Sequence, residues 1–167
     1  QPLALGAGCC LTAEEAARRA GVNFTEARLG MAGPGAPVWR LLVDAGQAKA
    51  MQWQALDART GTAKAPLGAV QAMKAAESFS GRRALSAEAL ERDQWTVPQG
   101  FDPYRPLFKV SLEGDDGLEL YVSRTAAEVV CDTRRGERFW NWIGAVPHWI
   151  YPTVLRQFPQ AWNQVVV

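Results

Sequence analysis

Pro37-Val38-Trp39-Arg40-Leu41 and Pro106-Leu107-Phe108-Lys109-Val110 carry one pattern twice: proline, aliphatic, aromatic, basic, aliphatic. Branched and aromatic side chains fit a pleated, half-buried surface, and proline is tolerated at the first residue of a strand. Both segments are therefore expected to be strands. Their surroundings repeat as well, since a helical pattern precedes each and an Arg-Thr pair follows each, at Arg59-Thr60 and Arg124-Thr125. Agreement in order along two units argues for an internal repeat. The expected fold is α+β, two similar units, each a helix packed on a small antiparallel sheet.

Outward from the first copy, Thr12-Ala13-Glu14-Glu15 has the form of a capping box and predicts a helix over 14–19 that stops before Gly21. A weak strand follows over 26–31, and Gly33-Pro34-Gly35-Ala36-Pro37 turns the chain. After the strand at 38–43, residues 51–56 alternate apolar and polar, as a strand with one buried face does. Asp57-Ala58-Arg59-Thr60-Gly61 closes the unit as a turn. In the second copy Pro66 suits the first position of a helix running to Glu77, with Ser86 capping a third, shorter helix through Leu90. Residues 95–97 are expected to be extended and 98–103 a loop. Glu113-Gly114-Asp115-Asp116-Gly117 is a hairpin signal, with its return strand at 118–122.

Composition narrows the function classes. Eighteen Lys and Arg nearly balance seventeen Asp and Glu, so no basic field attracts nucleic acid. No apolar run reaches the roughly eighteen residues that a spanning helix needs. The first eight residues lack the basic start and long apolar middle of a signal peptide, and suit a processed end or the edge of an upstream membrane helix. Cys9, Cys10 and Cys131 are an odd set without metal-ligand spacing. Adjacent cysteines seldom bridge, so a link from Cys131 to Cys9 or Cys10 is the expected disulfide, against the alternative of three unpaired thiols.

Chemistry is sparse. One histidine, His148, and no Gly-x-Ser-x-Gly leave no recognisable Ser–His–Asp arrangement. Asp115-Asp116 lacks calcium-loop spacing and suits a solvated turn. His148 suits a hydrogen-bonded interfacial role better than a ligand role.

The C-terminal stretch carries the strongest signal for function. Phe139, Ile143, Val146, Ile150 and Val154 recur at helical spacing, while Trp140, Trp142, Trp149, Tyr151 and Trp162 add rings with an apolar body and a polar tip. Such rings favour the boundary between water and an oily phase, and the run begun at Val165-Val166-Val167 suits the mouth of a membrane helix. The competing reading is a helix on its own core, broken by Pro147, Pro152 and Pro159. Arg138, Trp140, Trp142, His148, Trp149, Tyr151 and Arg156 are the expected membrane or partner docking residues, the two arginines forming a polar rim. Arg134 and Arg135 stand beside them, placed to meet lipid phosphates or a partner's carboxylates.

Taken together, Leu11-Thr12-Ala13-Glu14-Glu15-Ala16 with 57–61, and Arg105-Pro106-Leu107-Phe108-Lys109-Val110 with Leu120-Tyr121-Val122-Ser123-Arg124-Thr125, resemble two PepSY domains. With Trp140-Asn141-Trp142-Ile143-Gly144 and Pro147-His148-Trp149-Ile150-Tyr151, the chain is similar to the extracytoplasmic part of PepSY-containing bacterial inner-membrane proteins. The resemblance implies units at 11–62 and 66–133, and a membrane-proximal aromatic segment at 134–167. It also implies a location on the periplasmic side of the inner membrane, with the chain's own membrane helices and the lipid boundary as partners beside a protein partner. Some members resemble haem-bearing reductases of iron–siderophore complexes, which implies a link to iron or haem redox transport, with any haem in membrane helices outside this sequence. The fragment itself is expected to be a non-catalytic sensing or docking module with no cofactor of its own. The alternative is an inhibitor-like module that binds a peptidase, as PepSY segments of protease propeptides resemble. One departure stands out: the family's last turn carries Thr-Gly-Glu, whereas here it is Thr125-Ala126-Ala127-Glu128, so a different turn is expected.

Overall fold

Thr12 starts the first unit. Its Oγ1 accepts the Glu15 N–H at 3.2 Å while the Glu15 carboxylate accepts the Thr12 N–H at 2.9 Å, the reciprocal bonding of a capping box. The helix so begun, α1 (Ala13–Ala20), ends at Gly21, whose φ of 70° only glycine adopts without strain. Ala13, Ala16 and Ala17 form its buried face, small enough to let α1 lie close on a three-stranded antiparallel sheet. That sheet runs in sequence order through β1 (Phe24–Met31), β2 (Pro37–Asp44) and β3 (Met51–Asp57). Leu41, Val43 and Leu56 fill the space beneath the helix with Phe24 and Trp39. The Trp39 Nε1–H donates to the Leu11 carbonyl at 2.9 Å, so the largest ring there is not left with an unpaired polar atom. The computed structural model describes residues 9–33, 35–46 and 50–144, together with 158, 160, 163 and 164.

The second unit repeats this plan. Helix α2 (Ala69–Ser80) buries Ala72 and Ala76 and ends at Gly81 with φ 71°. A four-stranded antiparallel sheet follows, through β4 (Ala84–Leu90), β5 (Leu107–Leu112), β6 (Glu119–Ser123) and β7 (Glu128–Thr133). Phe108, Val110, Leu112, Leu118, Leu120 and Val122 make its core. A 3-10 helix (Gln99–Tyr104) lies between β4 and β5, and α3 (Arg135–Ile143) follows β7.

The equivalence extends to single hydrogen bonds. Leu11 N–H donates to Ala58 O and Leu67 N–H to Arg124 O, both at 2.9 Å. Ala58 N–H reaches Pro37 O at 3.0 Å, and Arg124 N–H reaches Pro106 O at 3.1 Å. A β-bulge interrupts the first strand of each sheet at the matching place, between Phe24 and Glu26 and between Ala84 and Ser86. Pro37 to Leu41 and Leu107 to Val110 therefore occupy equivalent strands, β2 and β5, with Pro106 just ahead of the second. The Arg-Thr pairs are one residue out of step, because Ala58, not Arg59, matches Arg124. The turn lacking glycine keeps the form of its counterpart: Ala127 N–H returns to Ser123 O at 3.1 Å as Gly61 N–H returns to Asp57 O at 2.8 Å. Ala127 takes φ 52° where Gly61 takes 77°, a left-handed conformation that costs alanine about 1–2 kcal/mol. The expectation of a different turn is corrected.

Further expectations are also revised. Residues 86–90 form no helix: they lie in β4, where pairing with β5 overrides the helix preference of Ala, Leu and Glu. Residues 95–97 are not extended, because Asp93 Oδ1 accepts from Trp95 N–H, Thr96 N–H and Thr96 Oγ1–H and folds them into a turn. Residues 98–103 are largely the 3-10 helix rather than an irregular loop. Pro66 precedes α2 instead of opening it, since the Leu67 N–H is taken by Arg124 O. Strand β7 has no counterpart among the expected elements. Cys9 and Cys10 are bridged to each other and Cys131 is free, which corrects the expected link through Cys131.

Candidate functional site

Helix α3 has no buried residue, yet it carries Phe139, Trp140, Trp142 and Ile143, each 57–71% exposed. Its base is nevertheless held firmly. Arg138 Nη1–H donates to the Thr133 carbonyl and hydroxyl at 3.1 and 2.9 Å, and Nη2–H donates to Gly117 O at 3.0 Å. The same guanidinium lies 3.3 Å from Glu119. Arg135 N–H donates to Asp116 O at 2.9 Å, Arg134 sits 3.5 Å from the Asp116 carboxylate, and Glu137 accepts the Arg134 N–H at 3.0 Å. The 2.7 Å bond from Arg82 holds the Asp116 carboxyl below its ordinary pKa. The β5–β6 hairpin thus works as a bracket, and the aromatic side chains stand out from it into solvent.

Trp140 and Trp142, two of the expected docking residues, both stand exposed on α3, with Phe139 edge-on to Trp140 at 5.5 Å. Arg138 is not on a polar rim. Its donors are spent on the protein's own carbonyls and on Glu119, so it is a bracket residue, and Arg134 likewise faces Asp116. His148, Trp149, Tyr151 and Arg156 lie outside the described residues.

A second arrangement escaped the sequence reading. Arg40, in the middle of β2, is 5% exposed and reaches from the first unit into the turn of the second. Its Nε–H donates to Ala126 O at 2.8 Å, and its Nη2–H donates to Ala127 O at 3.1 Å and to Met31 O at 3.3 Å. Glu128 supplies the counter-charge at 3.1 Å. Burial draws the Arg40 pKa below that of a free guanidinium. Burial also raises the Glu128 pKa, against the pull of Arg40 and, more weakly, Arg28. Gly30 leaves room beside this pair, because a Cβ there would overlap the Arg40 guanidinium and displace it. The pair lines a cleft of about 250 Å³ bordered by Met31, Ala75, Phe79 and Val129. Nearby, Trp53 stacks on Tyr104 at 5.9 Å, and Arg28 lies 4.3 Å over the Trp53 ring while bonding the Tyr104 hydroxyl. The available signal was a lone arginine inside the apolar run of β2.

No group of His, Cys, Asp and Glu able to hold a metal ion occurs among the described residues. Burial pushes the free Cys131 thiol up to about 11, so it is a poor nucleophile at neutral pH. No described helix is long and apolar enough to cross a membrane. No protein-family model matches the chain, and neither a curated protein nor a solved structure matches it.

Proposed function

We propose that this chain is a non-catalytic docking module, two PepSY-like units that present α3 to a membrane boundary on the periplasmic side of a bacterial inner membrane. A single observation carries the proposal: four large apolar side chains stand exposed on a helix whose base is fixed by charged hydrogen bonds. A monomer that leaves such residues in water bears a cost unless they meet an apolar surface. Tryptophan is suited to that contact, its ring entering the headgroup layer while the indole N–H stays hydrated. The Arg40 clamp serves the same end by tying the first unit to the turn that precedes β7.

The test is association of the whole chain with phospholipid vesicles, followed by flotation and by tryptophan emission. Vesicles are expected to carry the protein upward and shift its emission to the blue. Replacing Trp140 and Trp142 together by Ala should abolish both effects while leaving the circular dichroism of the two sheets unchanged. A chain that stays with the soluble fraction, or a double variant that still floats, removes the proposal.

A further inference from the structure

Among the described residues around α3, four arginines are spent on the protein's own carboxylates, and this bears on which lipid surface the helix meets. Arg134 and Arg138 are held by Asp116 and Glu119, and Arg82 and Arg83 by Asp116 and Glu113. Among the described residues the remaining arginine of this stretch, Arg135, is exposed, as are the carboxylates Asp115, Asp132 and Glu137. Over residues 82–83, 113–119 and 132–138, six carboxylates therefore outnumber five guanidiniums. An anionic leaflet attracts a protein by roughly fivefold in affinity for each free Lys or Arg near its surface. A bracket with no surplus cation gains nothing from such a leaflet, whereas apolar burial does not depend on headgroup charge.

Resting on the docking function proposed above, we infer that α3 takes a zwitterionic phospholipid surface as its partner. It enters through Phe139, Trp140, Trp142 and Ile143, with no contribution from anionic headgroups. The bracket orients the helix, and its internal ion pairs keep the arginines from steering it. Docking is then indifferent to salt, because screening acts on charges and not on ring burial.

The experiment is partition of the full chain onto vesicles of pure phosphatidylcholine, and onto vesicles in which about a third of the lipid is phosphatidylglycerol, each at low and high salt. Binding to the pure phosphatidylcholine vesicles is expected to agree within about twofold at the two salts, and phosphatidylglycerol is expected to bring no gain at either salt. The variant Asp115→Lys adds surplus positive charge to the exposed hairpin tip, and it should bind the phosphatidylglycerol vesicles at least about fivefold better than the pure ones. Wild-type binding that needs phosphatidylglycerol and collapses with salt overturns the inference while leaving membrane docking in place. An Asp115→Lys variant still indifferent to lipid charge also overturns it, since local charge would then not govern the choice. No binding to either vesicle removes the docking function itself.

Discussion

The two units share a scaffold down to the bulge and the turn bonds, but they finish differently. In the first, the segment after the turn makes a single bridge, Leu56 with Ala63, before Pro66 ends the pairing. In the second, the matching segment grows into β7, with Val122 opposite Val129, and continues into α3. The helix-free faces differ too. Val38, Trp53 and Ala55 in the first unit are buried, and Ala55 N–H donates to Thr125 O of the second at 2.9 Å. On the second sheet Tyr121 is covered instead by its own connection, its hydroxyl donating to Asp93 at 2.7 Å. One repeated unit thus acts as the mount and the other as the presenting arm. In the proposed function the docking role falls to the extension beyond the repeat, with the repeat itself as support.

Substitutions at matched positions sharpen this contrast, and the largest effect is expected at β2 and β5. Arg40→Ala strands Glu128 in the interface and removes donors from three carbonyls, at a cost of about 3–5 kcal/mol in urea unfolding. The equivalent Lys109 meets Glu88 at 2.9 Å, but Glu88 is 68% exposed, so Lys109→Ala should cost at most about 1 kcal/mol. Equal costs would refute the assignment of mount and arm.

The turns give changes of opposite sign. Gly61→Ala places a Cβ 3.3 Å from the Ala16 Cα in a left-handed conformation, and should destabilise by about 1–3 kcal/mol. Ala127→Gly relieves the same strain, and thermal unfolding should show a gain of up to about 1 kcal/mol. The helix starts differ less. Thr12→Ala removes the capping box for about 1 kcal/mol, while Gly68→Ser, adding a cap that α2 lacks, should gain a few tenths, about 0.3 kcal/mol.

Last comes a pH effect. Because burial raises the folded-state pKa of Glu128, its contribution to stability is present below the ordinary Glu range and is lost as pH rises through the raised value. Glu128→Gln should flatten that slope, and a slope that persists in the variant would assign it to another group.

The two-unit fold was legible because its signals are local: a capping box at Thr12, glycine helix ends, and an aromatic–basic strand pattern that survives duplication. The misread elements depend on distant partners. Residues 84–90 have helix-forming composition and become a strand only because β5 offers an edge to pair with. Strand β7 follows a turn whose glycine is missing, which hid the signal that the chain reverses there. At the site, the exposed rings of Trp140 and Trp142 were read correctly as outward-facing. The fate of Arg138 was not, because its acceptors at Gly117 and Glu119 come from a hairpin that only the fold brings near. The Arg40 clamp was missed for the same reason, since its partners at Ala126, Ala127 and Glu128 lie in the other unit.

The claim that the second unit's extension meets lipid is tested most directly by vesicles of phosphatidylcholine brominated along the acyl chains, which quench only tryptophans that reach the bilayer. The account predicts quenching in the wild-type chain and in Trp39→Phe, and its loss when Trp140 and Trp142 both become Phe, a change that keeps the surface apolar. Absence of quenching in the wild type, or quenching that survives the double substitution, would contradict it.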